Sequence, residues 1–271
     1  MEIFPGRFVA LARRRAVQLA LALTMLHCGF VNIARADDAA AVAVTPYRPT
    51  VSNPADLPLP GWIEAEFGGL RVLGEDRTRG DSVPWLLKYA FDADHGLLLG
   101  GDAYVTSQAP GEREQRGSGD TTLAWKQRFA FDDATAFGIE AGVTVPTAKR
   151  ELGVGKPVYL MNGIVSRDFG SVHMDLNVGA AHSTQRATGT SAWQQSYAIA
   201  VSRSLTPAWG AALEVSGARQ RGAPSESQAL AAVTYALSPR VVLDAGVARG
   251  ITPTRDRSFF TGAAILLGRL R

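Results

Sequence analysis

Across residues 62–270, apolar and polar side chains trade places at nearly every step, in blocks separated by clusters of turn-forming residues. Residues 120–133, DTTLAWKQRFAFDD, show the rule most sharply. The odd positions are Thr121, Leu123, Trp125, Gln127, Phe129 and Phe131, and the even ones Asp120, Thr122, Ala124, Lys126, Arg128 and Ala130. A period of two sends these sets to opposite faces of a β-strand, whereas a helix would scatter Trp125, Phe129 and Phe131 around its circumference. A chain built this way is all-β, and its two faces meet two different surroundings.

The same alternation recurs to the end of the chain. GWIEAEFGG sets Ile63, Ala65 and Phe67 against Glu64 and Glu66, and VPWLLKYAF sets Val83, Trp85, Leu87, Tyr89 and Phe91 against Leu86, Lys88 and Ala90. In LLLGGDAYV, Leu97, Leu99, Ala103 and Val105 oppose Gly100, Asp102 and Tyr104. FGIEAGVTV and VHMDLNVGA continue cleanly, VYLMNGIVS is ambiguous in phase, and five more segments follow, making twelve strands in all. The connections alternate in length. Short ones centre on 92–96, 132–133, 168–170, 206–207 and 238–239, and longer ones on roughly 71–81, 107–118, 146–157, 183–191, 219–226 and 250–257. An even strand number, alternating segments of about ten residues, and short turns alternating with long loops are the pattern of an antiparallel up-and-down barrel spanning a membrane. Closure pairs every backbone polar group in a medium that offers no water.

The N-terminal region reads as an address. Arg13, Arg14 and Arg15 precede an apolar run from Ala16 to about Phe30, and Ala34-Arg35-Ala36 has the small-x-small form of a signal-peptidase site. The run is short for a spanning helix, which needs about 20 residues, so cleavage after residue 36 is expected rather than an uncleaved anchor. The whole chain carries 28 basic and 25 acidic residues. Residues 1–36 hold five of the basic and one of the acidic, leaving 23 and 24. The basic balance therefore belongs to the address, and nucleic-acid binding is not expected. The single cysteine, Cys28, also falls in the address, so the mature chain has no thiol for disulfides or metal sites. Residues 37–61 contain Pro46, Pro49, Pro54, Pro58 and Pro60 and fit neither helix nor central strand. Two readings stay open for them, a flexible periplasmic leader or a plug entering the barrel. The barrel itself is expected over 62–271.

A soluble sandwich or lipocalin-like barrel is the competing fold, with the apolar face turned inward. Strands this rich in Gly and Ala would fill such a core poorly, and Trp62, Trp85, Trp125, Trp193 and Trp209 suit membrane interfaces. With the apolar face in lipid, the other face lines an aqueous lumen. The candidate lining residues are Glu64, Glu66, Lys88, Asp102, Asp120, Lys126, Arg128, Glu140, Asp175, Glu214 and Asp244. They would either knit an internal ion-pair network that blocks the lumen or line a path for solutes. Acids outnumber bases among them, which gives an open pore a weak cation preference.

Catalytic constellations were weighed against this. After residue 36 the histidines are His95, His173 and His182. A barrel-wall lipid hydrolase needs a Ser–His pair with an orienting polar group. His173 falls on the polar face, and His182 and Ser183 are sequence neighbours rather than a cross-strand pair. A rim protease would need a histidine beside Glu226 or Asp256, and none accompanies them. GVGKP at 153–157 misses the phosphate-loop pattern and lies between strands. The expectation is a non-enzymatic barrel without cofactor or metal. Its partners would be the outer-membrane bilayer, small-molecule solutes and the outer-membrane assembly machinery. A wall hydrolase, or a structural barrel with a blocked lumen, is the alternative.

RPTVSNPADLPLPGWIEAEFGG (48–69), GSGDTTLAWKQRF (117–129), GVTVPTAKRELGVGKP (142–157) and GVARGITPTRDRSFFTGAAILL (246–267) resemble an outer-membrane family labelled MetA-pathway of phenol degradation. The resemblance spans nearly all of the chain after residue 36. It implies a channel or transporter-like barrel for passive passage of small molecules, hydrophobic or aromatic compounds among them. Many outer-membrane barrels end on an aromatic residue, whereas this sequence ends Gly268-Arg269-Leu270-Arg271.

Overall fold

A computed structural model describes residues 42–149, 151–185 and 187–270. The signal segment 1–36, with its cleavage site and Cys28, and leader residues 37–41 lie outside the described residues. Among the described residues the chain forms thirteen strands and no helix. They are β1 (Trp62–Leu73), β2 (Arg79–Ala90), β3 (His95–Gln108), β4 (Gln115–Gly117), β5 (Thr121–Asp132), β6 (Thr135–Val145) and β7 (Val158–Phe169). The remainder are β8 (Val172–Ser183), β9 (Trp193–Ser204), β10 (Trp209–Gln220), β11 (Glu226–Ser238), β12 (Val241–Thr252) and β13 (Arg257–Arg269). β4 is a three-residue arm on β3 inside a long loop. The other twelve pair antiparallel with their sequence neighbours, and β1 closes on β13 from Trp62↔Arg269 to Leu73↔Arg257. The result is a closed twelve-stranded barrel with no free edge.

The two faces divide as the alternation requires. On β5, Leu123 and Trp125 are 46% and 42% exposed while Lys126 is fully buried. On β6, Phe137 and Ile139 point out and Glu140 points in. The ambiguous β7 resolves with Tyr159 and Met161 outside and Val158 and Ile164 inside. An apolar exterior around a charged interior, on a closed antiparallel barrel, is the architecture of an outer-membrane β-barrel.

The structure corrects the sequence reading of β3. Tyr104 was expected on the polar face with Asp102, yet it is exposed on the outside. The register of β2 with β3 slips between Val83 and Pro84, so that Val83 faces Tyr104 while Pro84 faces Asp102. The extra residue, Ala103, is a β-bulge that reverses the phase beyond it. Strands also run further into the long-loop ends than alternation indicated. The β1–β2 loop shrinks to residues 74–78 because Arg71 and Asp81 pair across the ladder outside the apolar belt.

Short turns between β2–β3, β5–β6, β7–β8, β9–β10 and β11–β12 gather at one end with the start of β1. Their residues supply local acceptors. The Asp92 carboxylate takes the N–H groups of Asp94 and His95, each at 2.8 Å, and Asp132 takes that of Ala134 at 2.9 Å. The long loops form the opposite end, and there residues 146–157 fold inward. Asp120 accepts the N–H groups of Ala148 (2.9 Å) and Val154 (2.6 Å), which draws Val154 against Val158 and Ala181.

Candidate functional site

The interior of the short-turn half is occupied by the chain's own leader. Residues 42–60 are mostly buried, and their polar groups engage inward-facing residues of one strand after another. The segment enters beside the β11–β12 turn, where Val44 donates its N–H to the Pro239 carbonyl (2.9 Å). Thr45 donates its N–H to Glu64 on β1 (2.8 Å), and the N–H groups of Tyr47 and Arg48 go to the two oxygens of Glu66 (2.6 and 3.1 Å). The N–H groups of Val51 and Ser52 converge on Glu214 of β10 (2.7 and 2.8 Å). Asn53 reaches Asn177 on β8 (2.8 Å) and Glu140 on β6 (2.6 Å), and Ala55 donates its N–H to Ser166 on β7 (2.7 Å). Asp56 meets Arg128 on β5 (2.9 Å), and Leu57 lies over Gly96 of β3. Gly61 then donates its N–H to the Ala90 carbonyl (2.7 Å), back at the short-turn end. The leader therefore traces a ring just inside the wall, and the Tyr47 hydroxyl closes it by donating to the Asp56 carbonyl (2.6 Å).

Proline explains why this segment can do so. Prolines rule out helix and ladder pairing, so the remaining backbone N–H groups point sideways toward the wall. Buried carboxylates on the wall are the natural acceptors, because a backbone N–H left unpaired here would cost about 1–3 kcal/mol.

Three charge clusters sit beneath the ring. The Lys88 ammonium lies 2.9 Å from Glu64 and 2.6 Å from Glu66, all three fully buried, and also donates to the Thr45 carbonyl. Lys126 lies 3.1 Å from Glu140 and donates to the Pro54 carbonyl. Both ammonium groups cover the ring of Tyr47, at 4.0 and 4.2 Å from its centroid, while Leu86, Leu98 and Ala124 pack around it. The third cluster is a latch. Arg48 grips Asp244 on β12 with two hydrogen bonds, Nε to Oδ2 at 2.9 Å and Nη2 to Oδ1 at 3.0 Å. Its guanidinium lies over the cross-strand pair Gly68↔Gly262. A Cβ at Gly68 would fall 2.8 Å from Arg48 Nη2, and one at Gly262 2.5 Å from Nε. Only glycine at both positions leaves room for it.

The sequence candidates are thus placed unevenly. Glu64, Glu66, Lys88, Lys126, Arg128, Glu140, Glu214 and Asp244 converge on the leader ring. Asp175 accepts from Ser166 (2.5 Å) and lies 3.2 Å from His173. Asp102 and Asp120 sit toward the long-loop half, with Asp120 holding the 146–157 loop. Sequence reasoning did not single out Tyr47, Arg48, Asn53, Ser166, Asn177, Gly68 and Gly262. The glycine pair had a signal, since two inward positions on facing strands lack side chains, but seeing it requires the register.

Among the described residues the three histidines lie apart, two beside carboxylates and one against an aromatic ring. His173 Nδ1 is 2.6 Å from Asp168 and Nε2 is 3.2 Å from Asp175. The nearby serine, Ser166, donates to the Asp175 carboxylate. His182 packs edge-on against Trp193 at 4.8 Å on the outer wall, and Ser183 donates instead to the Gln185 carbonyl (3.1 Å).

Comparison with known proteins follows this geometry. The chain belongs to the family described as MetA-pathway of phenol degradation, which matches residues 48–267. The match begins at Arg48, so it includes most of the leader ring as well as the barrel. No curated protein matches the sequence. An outer membrane channel from Pseudomonas putida F1 has the same fold, with a TM-score of 0.61 at 11% identity, covering 86% of this chain and all of the other. The KdgM porin, solved in complex with disordered oligogalacturonate, aligns with a TM-score of 0.53 at 8% identity, over 76% of this chain and 99% of its own.

Proposed function

We propose that this barrel is an outer-membrane channel for small solutes, closed by its own leader and opened by displacement of residues 42–60. The observation that carries the reading is the ring of backbone N–H groups and carbonyls laid on a charged wall. Each of those bonds can be exchanged for water, so the ring can leave without stranding a buried group in an apolar medium. A wall built for permanent closure would gain more from interlocking apolar side chains. The family description and the names of the two structural neighbours support a passage role.

The solute class follows from what Tyr47 leaves behind. Its berth has an apolar lining of Leu86, Leu98 and Ala124 and two ammonium groups against the ring face. Those ammonium groups are already matched by Glu64, Glu66 and Glu140. A neutral aromatic ring suits this berth, whereas an aromatic carboxylate would meet excess negative charge. With the ring displaced, the wall carries more carboxylates than basic groups, which gives a weak cation preference.

Planar-bilayer conductance of residues 37–271 tests this directly. Asp244→Asn weakens the grip on Arg48, and Arg48→Ala removes the latch. Both variants are expected to conduct in larger and more frequent steps than wild type, with a reversal potential favouring cations. Phenol should reduce the open current of Arg48→Ala more strongly than benzoate does. Variants that fold, shown by heat-shifted gel migration, yet stay silent would overturn the channel reading in favour of a blocked structural barrel.

A further inference from the structure

The outer wall carries a feature that the lumen does not explain. At the long-loop end, four consecutive strands turn arginines outward: Arg249 on β12, Arg257 on β13, Arg71 on β1 and Arg79 on β2. Arg249 and Arg257 are direct cross-strand partners. Side chains in such a pair stand about 5 Å apart at Cβ, and like charges there are destabilising unless something bridges them. Asp81 serves Arg71 (2.6 Å) and Arg79 (2.9 Å), but among the described residues no carboxylate pairs with Arg249 or Arg257. The band sits immediately above the apolar belt, where Phe67, Val83, Val247 and Phe259 are all exposed. The opposite side of the barrel differs. At the same end, β7, β8 and β9 turn out Tyr159, His182 and Trp193.

We infer that this arginine band is a binding site for the phosphate groups of a glycolipid in the outer leaflet, its acyl chains lying along the apolar belt below. The long-loop end faces the cell exterior in barrels of this kind. Guanidinium forks match phosphate oxygens two by two, and a phosphate between Arg249 and Arg257 turns their repulsion into a shared contact. Continuity with the belt selects a lipid over a free anion, because only a lipid satisfies both surfaces at once. The short-turn end has outward arginines too, at Arg167, Arg203 and Arg269, but each faces uncharged residues across the ladder: Thr135 and Met174 for the first, Val172 and Ala211 for the second, Trp62 for the third. They provide no bridging pair.

The test uses residues 37–271 refolded in detergent and titrated with bisphosphorylated lipid A, followed by native mass spectrometry. Wild type should retain lipid A and should bind its dephosphorylated form at least tenfold more weakly. Arg249→Ser/Arg257→Ser should lose about tenfold in affinity for the phosphorylated form, and Arg249→Lys/Arg257→Lys should fall between. Arg167→Ser/Arg203→Ser should bind as wild type does. Equal binding of phosphorylated and dephosphorylated lipid A to wild type would overturn the inference without reference to any variant. Displacement by millimolar inorganic phosphate alone would overturn it as well, leaving a simple anion site. None of these outcomes depends on whether the lumen conducts.

Discussion

The two halves of the barrel interior are built from different chemistries. At the short-turn half, charged wall residues hold a polar backbone ring, with Lys88, Glu64 and Glu66 at its centre. At the long-loop half, Leu70, Leu230, Ala232, Ala248 and Phe260 pack along one arc of the wall, on β1, β11, β12 and β13, while Val154 is drawn in beside Val158 and Ala181, and Asp120 keeps a polar contact with the inward-folded loop. The polar half can trade partners with water at modest net cost. The apolar arc has no such exchange open to it. On the proposed reading the leader is the removable element and the apolar arc a fixed one.

The sharpest way to break this comparison is Lys88→Ala. It leaves Glu64 and Glu66 side by side without their cation, and the expected loss is about 3–5 kcal/mol in urea unfolding of the refolded barrel. A loss below about 1 kcal/mol would mean that water already permeates the polar half. Next comes the outer wall as reference. Ile139→Arg and Leu123→Arg should each cost about 2–4 kcal/mol in lipid vesicles, since that face meets the membrane. Tolerance of both would overturn the assignment of faces. Val154→Ala removes two buried methyl groups from the inward-folded loop and should cost about 1.5 kcal/mol, with no change in the leader's protection from protease. If the leader became cleavable, the halves would be coupled rather than separate. The smallest effect lies in a turn outside the membrane. The N–H of Asp94 chiefly, with His95, holds the Asp92 carboxyl below its ordinary range. Its contribution to turn order is therefore complete above the usual carboxylate range and fades as pH falls through the lowered value. A carboxyl titration of Asp92 by NMR should show a midpoint below that of a model aspartate.

The barrel was legible because lipid and lumen impose opposite demands on neighbouring residues, and segments such as β5 and β8 record both. Where only one demand acts, the record is weaker. β7 was ambiguous because Val158, Leu160 and Ile164 put apolar side chains on its inner face while Gly163 sits on the outer one. Ala103 was invisible as a bulge because an alanine suits either face, so Tyr104 was put on the wrong one. The leader was harder still. Its attachments are mostly backbone N–H groups, which every residue but proline possesses and which leave no mark in the sequence. Prolines told where regular structure could not be, and left both a loose leader and a plug open, with the loose leader favoured. The wall carboxylates were readable as inward, but what they hold came from another part of the chain, 163 residues away for Glu214 and Val51.

The latch at Arg48 has a meaning for assembly as well as for passage. Its seat is built from three strands: Gly68 on β1, Gly262 on β13 and Asp244 on β12. β1 and β13 are the first and last barrel strands, and their pairing is the final seam that turns a curved sheet into a cylinder. The notch does not exist until that seam is shut in register. A slip of one residue along it would turn side chains into the space the guanidinium needs. Arg48, fourteen residues ahead of the first barrel strand, therefore reports on the joining of the two ends of the chain: a correctly sewn barrel accepts its own leader, and a mis-sewn one leaves it outside.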